Sequence, residues 1–315
     1  MKYKLISNRN EREWIKINKS LSIANEALAL FGKREAFDVN LFEAYPDMDS
    51  LIRKLEMEKN GNPKKIYFVQ SLKLWLFGEH KFFYICLRLQ QLMNLAPTDN
   101  LTIINWDQHE DLYPESDFVK FQRYGNPDNF NGEQSLKAVD SLIYHQFRNV
   151  GIASFPYPFI WDDSLKNMIW RRNSKFRFNG VERESFGFDY REKDKLFNQS
   201  RKATSDRSLD FYNLGRSMRS SFKRVLSHLS DTHFIHTTDM DSFYEGFCKR
   251  VSKTRIRIFL KDLDIIINQP AYHPIGVFIA TSPGIFTNEK TIVGLTYEVL
   301  AHYKTLETAI IDNKK

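Results

Sequence analysis

The chain has 315 residues, of which 42% are hydrophobic and 27% charged, and a formal net charge of +7. That length can bury a large core, and in an α/β arrangement it fits a single domain. There is no apolar run of about 18 residues and no signal-peptide pattern, and the two cysteines, Cys86 and Cys248, form no CxxC pair. These features argue against a helical membrane span and a disulfide framework, and point to a cytoplasmic protein.

Residues 1–64 read as a mostly helical N-terminal extension after a short strand near Tyr3–Ile6. Leu21, Ala24, Leu28 and Leu30 mark one helix. Leu51, Ile52, Leu55 and Met57 mark another, with Asp49 or Ser50 as its cap. Gly61-Asn62-Pro63 breaks the pattern before a strand at Ile66–Val69. The extension carries no recognisable chemistry. It is expected to cap the sheet, with substrate docking as the sharper alternative.

The apolar run Leu74-Trp75-Leu76 leads into Phe77-Gly78-Glu79-His80, and the spacing of Phe82, Phe83, Ile85, Cys86, Leu89 and Met93 predicts a helix. Pro97-Thr98-Asp99-Asn100 supplies a turn before a buried strand, Leu101–Ile104. Strand, helix and strand in this order form a βαβ unit and so a parallel sheet. Asp107, His109 and Asp111 follow at spacing i, i+2, i+4. In extended backbone they would all project from one face, at the carboxyl end of a core strand where ligands gather in open α/β sheets.

A polar loop begins at Gly125-Asn126-Pro127-Asp128, and a helix is expected from about Gln134 to Arg148, with His145 near its end. A strand follows at Met168–Trp170. From Arg171 to Arg224 there are 15 Lys/Arg against 7 Asp/Glu, a net of +8 that accounts for the whole basic excess. This basic insertion is either a solvated, variable surface or an electropositive wall for an acidic partner. In the second case Arg201, Lys202, Arg207, Arg216 and Arg219 are the contacts.

A strand at Phe234–Thr238 runs into Asp239-Met240-Asp241, again with two carboxylates two residues apart. His233 and His236 beside it read as packed or capping residues, and His228, His273 and His302 as structural or exposed. Arg255–Phe259 reads as a short strand or as the start of a helix through Ile267. Gly276–Ala280 is a strand ended by Ser282-Pro283-Gly284, and Gly294-Leu295-Thr296-Tyr297-Glu298 opens the last helix.

His80, Asp107, His109, Asp111, Asp239 and Asp241 therefore form a candidate ligand set. Two imidazoles and four carboxylates exceed one ordinary zinc site and suit two adjacent cations such as Mn²⁺. Glu79-His80, Asp107-Gln108-His109-Glu110-Asp111-Leu112, Asp239-Met240-Asp241-Ser242-Phe243 and Thr281-Ser282-Pro283-Gly284, in this order, resemble the ureohydrolase (arginase/agmatinase) superfamily. They are most similar to its divergent branch of peptide arginases, which convert arginine to ornithine within ribosomally made peptides. The resemblance covers roughly residues 65–303.

The resemblance implies an α/β fold of three layers, a mainly parallel sheet flanked by helices. It implies two Mn²⁺ bridged by Asp107 and Asp239, with His80 and Asp111 completing one site and His109 and Asp241 the other. Asp111 would also hydrogen-bond the attacking water. His145, within Tyr144-His145-Gln146, is similar to the family's proton-shuttling histidine, although a helix C-terminal cap is the plainer role. Free-arginine arginases place a guanidinium-binding glutamate after the phrase that Gly294–Glu298 resembles, and the sequence closes at Lys315 before reaching it. Glu110 and Glu307 are the candidates for that carboxylate. The expected substrate is an arginine-containing precursor peptide.

Two other classes stand beside this one. A small-molecule guanidino or amidine hydrolase would use the same ligands. Deacetylase relatives use one Zn²⁺ and usually lack the first histidine, so His80 speaks against them. A non-catalytic basic protein on the same fold would bind through residues 171–224. That stretch has no nucleic-acid motif and mixed charge, so nucleic acid is not the expected partner, nor is a membrane. The oligomeric state is left open.

Overall fold

A computed structural model describes residues 42–57, 65–92, 95–107, 111, 155–161, 164–172, 181–187, 208–214, 219–245, 250–282 and 289–312. Their organising element is a nine-stranded sheet. In chain order its strands are β1 (Phe42–Tyr45), β2 (Ile66–Val69), β3 (Leu74–Phe77), β4 (Leu101–Asp107), β5 (Leu165–Arg172), β6 (Val181–Gly187), β7 (Ser208–Leu214), β8 (His233–Asp239) and β11 (Gly276–Ala280). β9 (Tyr244–Glu245) and β10 (Arg250–Val251) form a separate antiparallel pair. The helices are α1 (Met48–Met57), α2 (Phe82–Leu92), α3 (Tyr157–Trp161), α4 (Arg219–His228), α5 (Lys253–Ile267) and α6 (Glu289–Asp312).

The spatial order is β1-β2-β3-β11-β8-β4-β5-β7-β6. From β3 through β7 every neighbouring pair is parallel. Among the described residues of this sheet, antiparallel pairing occurs at β2–β3 and β6–β7, towards its two ends. A parallel sheet survives only if both faces are covered, so its strands read as continuous apolar runs. All seven residues of β4, Leu-Thr-Ile-Ile-Asn-Trp-Asp, are buried.

Strand alternation divides these residues between two cores. Ile103, Met168, Ile235 and Phe278 pack with Phe83 and Leu87 of α2 and Phe159 of α3. Their chain neighbours Ile104, Ile169, Phe234 and Val277 pack on the other face with Leu51 of α1, Phe222 of α4, Phe259 and Leu263 of α5 and Val299 of α6. The result is three layers, helices on each side of one mainly parallel sheet. The expected fold class is what the chain adopts.

The βαβ expectation holds in direction but not in adjacency. β3 and β4 are parallel, yet β11 and β8 lie between them. Residues 42–45 add a strand where the N-terminal extension read as helical; the four-residue strand is too short to show a period. The α1 cap also lies earlier than expected. Asp47, not Asp49 or Ser50, accepts from the Ser50 N–H at 2.8 Å, and the helix begins at Met48.

Residues 253–267 form a helix, which resolves the strand-or-helix alternative. α6 starts at Glu289, so Gly294 lies inside it. The basic stretch is partly built into the sheet as β6 and β7. The expected Tyr3–Ile6 strand and the helices near residues 21–30 and 134–148 fall outside the described residues. Among the described residues no helix is long and apolar enough to cross a membrane.

From β4 the next strands, β5 and β7, lie to one side; from β8 the next sheet strand, β11, lies to the other. Such a switch point opens a crevice at the carboxyl ends of the two strands, where α/β proteins place ligands. Asp107 is the last residue of β4 and Asp239 the last of β8.

Candidate metal centre

His80 lies in the turn between β3 and α2, its carbonyl accepting from the Phe83 N–H at 3.0 Å. The ring lies against Phe155 with centroids 4.1 Å apart. Nε2 meets the Thr237 hydroxyl at 2.8 Å, which fixes the ring plane and turns Nδ1 into the crevice. Nδ1 lies 3.0 Å from Asp107 Oδ2, 3.1 Å from Asp111 Oδ2 and 3.5 Å from Asp239 Oδ2. An imidazole whose Nε2 proton is accepted by a neighbour leaves a lone pair on Nδ1, the form that ligates a metal.

Asp107 continues β4 directly into this cluster. Asp111 arrives differently from the extended-backbone expectation. Its φ is 54°, in the left-handed region, and its Oδ2 stands 3.1 Å from His80 Nδ1. A non-glycine residue held there is costly and is retained where surrounding contacts fix it. Asp239 is held at both oxygens. Oδ1 accepts from the Asp241 N–H at 3.1 Å, and Oδ2 accepts from the Ser282 hydroxyl at 2.6 Å. Asp241 is buried in the short 3₁₀ turn that follows β8.

His80, Asp107 and Asp239 offer ligand atoms within 4.8 Å of one another, all from buried residues. Asp111, itself buried, joins them through its 3.1 Å approach to His80. Several carboxylates this close cannot all ionise in a buried site without a compensating positive charge. Burial and the Asp107 charge push the Asp111 carboxyl well above the usual carboxylate range. The same two causes push Asp239 up to about 6, against the pull of His80, Ser282 and the Asp241 N–H. Burial works to lower His80 but is overcome by Asp107 and Asp111, which raise it to about 10. By itself the cluster must hold protons. Hard oxygen donors with one imidazole fit a divalent cation in their place.

No protein-family model matches the chain, and a search of curated proteins finds no match. Among solved structures, the arginase of Entamoeba histolytica in complex with L-ornithine is similar at 12% identity and a TM-score of 0.36. The match covers 98% of this chain and 81% of that one. A likeness this slight carries no argument.

Of the sequence-predicted residues, the structure brings His80, Asp107, Asp111 and Asp239 together and buries Asp241 beside them. His109, Glu110 and His145 lie outside the described residues. Glu307 is placed elsewhere. Its carboxylate accepts from the Met48 N–H at 3.2 Å and from the Ser71 hydroxyl. Ser71 precedes β3, whereas His80 follows it, so Glu307 sits at the opposite end of that strand from the cluster. Burial raises its carboxyl above the usual range.

His236 is a packed residue, as expected. It is fully buried, its Nδ1 meets the Tyr303 hydroxyl at 2.8 Å, and burial lowers it to about 3. Two contributors escaped the sequence reading. Thr237 lies inside the predicted strand Phe234–Thr238, and only alternation relative to His236 puts it on the His80 face. Ser282 was visible as part of a serine–proline step, but its partner is 43 residues away.

Proposed function

We propose that this chain is a binuclear manganese hydrolase that converts peptidyl arginine to ornithine and releases urea. The observation that carries the reading is the buried convergence of His80, Asp107, Asp111 and Asp239 at the carboxyl ends of β3, β4 and β8. His80, Asp107, Asp111, Asp239 and Asp241, together with His109, would hold the two cations. When bound there, manganese supplies Lewis acidity, lowering the pKa of a water from about 15.7 toward about 7.

The remaining chemistry belongs to the chain. Asp107 and Asp239, from the two strands flanking the crevice, fix the positions at which positive charge is held. The hydrogen bond between His80 Nε2 and the Thr237 hydroxyl keeps Nδ1 directed inward. Asp111, whose carboxylate stands beside His80 in the cluster, is the proposed hydrogen-bond acceptor for the attacking water. Water adds to the guanidinium carbon and the bond from that carbon to the side-chain nitrogen breaks. The nitrogen takes up both protons of the water, giving urea and the ornithine ammonium. His145 is the proposed proton shuttle, and Glu110 the proposed carboxylate for the guanidinium.

The peptide part of the reading is supported by the similarity of the Asp107–Leu112, Asp239–Phe243 and Thr281–Gly284 segments to peptide arginases. Incubation with Mn²⁺ and an arginine-rich precursor peptide, followed by mass spectrometry, tests it. Each converted residue should lighten the peptide by one CN₂H₂ unit. Efficient urea release from free L-arginine with the peptide untouched would replace the peptide substrate by a small guanidino compound.

A further inference from the structure

We propose that Ser282 is a positioning residue for the metal centre, acting through the Asp239 carboxylate and the loop that carries His80. The inference rests on the reading of the cluster as a cation site.

The sheet order creates the need for such a residue. His80 follows β3 and Asp239 ends β8, but β11 separates those two strands. Ala280, the last residue of β11, is in register with both Phe77 and Asp239. Whatever follows Ala280 therefore stands between the two ligands. The next residues are Thr281 and Ser282, and they bond to both sides. The Thr281 N–H donates to the Phe77 carbonyl at 2.9 Å, and the Ser282 N–H to the Gly78 carbonyl at 2.7 Å. The Ser282 hydroxyl donates in the other direction, to Asp239 Oδ2 at 2.6 Å.

That oxygen is the one facing His80 Nδ1 at 3.5 Å. A hydroxyl donating to it occupies one of its lone-pair directions and leaves the other aimed into the cluster. Ser282 also has a φ of 44°, in the left-handed region. Glycine is the residue that region favours, and the Pro283 that follows pushes its predecessor toward extended backbone. A serine held against both preferences marks a position where the side chain matters more than backbone comfort. A residue serving only the chain reversal would be better replaced by glycine.

Two variants separate the hydroxyl from the backbone. Ser282→Ala removes the hydroxyl and keeps the strained φ, whereas Ser282→Gly removes the hydroxyl and relieves the strain. The readouts are Mn²⁺ affinity by calorimetric titration of the metal-free chain, and thermal melting without metal. Both variants should bind Mn²⁺ about 10–100-fold more weakly, the usual effect of losing a hydrogen bond to a ligand. Ser282→Gly should melt at or above Ser282→Ala. Wild-type affinity in either variant, or recovery in the glycine variant of affinity lost in the alanine variant, would overturn the role. If the wild-type chain itself takes up no Mn²⁺, the cation site falls and this role with it.

Discussion

Asp107 and Asp239 end two neighbouring parallel strands, and both present a carboxylate oxygen to the same nitrogen of His80, at 3.0 and 3.5 Å. Neither residue can retreat. Each is the terminal residue of a strand buried over its preceding positions (all of β4, and β8 from Phe234 on), so the position of each carboxylate follows from the register of the sheet. The site is thus a consequence of strand pairing, with Asp111 joining a frame already set.

The charge on this frame predicts an unusual pH response. Asp239 is held at about 6 against an ordinary 3.8, and His80 at about 10 against 6.5. Both values are raised, so both groups bind their protons more tightly in the folded chain. Their stabilising effect is complete below the unfolded value and is lost as pH climbs through the folded one. For the metal-free chain the loss runs from about pH 4 to about 6 through Asp239, and from about 6.5 to about 10 through His80. A cation competes with these same protons, so its effect should grow as they leave. The rise in melting temperature on adding Mn²⁺ should be larger at about pH 8.5 than at about pH 6. A rise that shrinks with pH would contradict the charge assignment.

Much of this frame was legible before any coordinates. Buried strands such as Leu101–Ile104 and Phe234–Thr238 announce themselves by unbroken apolar or β-branched runs, and carboxylates just beyond them mark the ligand end of a sheet. What sequence could not show was which strands become neighbours. Placing β11 between β3 and β8 is a tertiary choice, and it alone brings Ser282 to Asp239. The spacing points to Asp111 but not to its left-handed φ, because aspartate visits that region only occasionally and the sequence does not mark where. Glu307 shows the converse limit. A carboxylate in a suitable stretch of chain carries no sign of which end of a strand it will face.

Glu307 ties α6 to the start of α1 through Met48 and to the turn before β3 through Ser71. Glu307→Ala leaves the buried Met48 N–H without that acceptor and should destabilise the fold by about 1–3 kcal/mol. Chemical denaturation would measure the loss. The KM for an arginine-containing peptide should be unchanged; a selective rise in KM with unaltered stability would return Glu307 to substrate binding.

Behind the β4 end, Arg171 and Asp262 form a buried ion pair at 2.5 Å. The guanidinium lies over the rings of Trp106 and Phe222, 5.0 and 5.1 Å from their centroids. Since Trp106 precedes Asp107, this pair braces the strand end that presents a ligand. Asp262→Ala takes this carboxylate away from the buried Arg171 guanidinium and should cost about 3–5 kcal/mol. Arg171→Met combined with Asp262→Leu removes both charges and should recover most of that loss in the same denaturation assay. A double variant as unstable as Asp262→Ala would show that the bracing is not electrostatic.

The most direct test is a count of metal ions. Native mass spectrometry of the Mn²⁺-loaded chain should show about two ions per chain, the number that two imidazoles and four carboxylates suit. Asp107→Ala and Asp239→Ala should each lower that occupancy while the metal-free variants remain folded. A wild-type chain that keeps no Mn²⁺ after loading, or an Asp107→Ala variant that keeps the full complement, would contradict the metal centre.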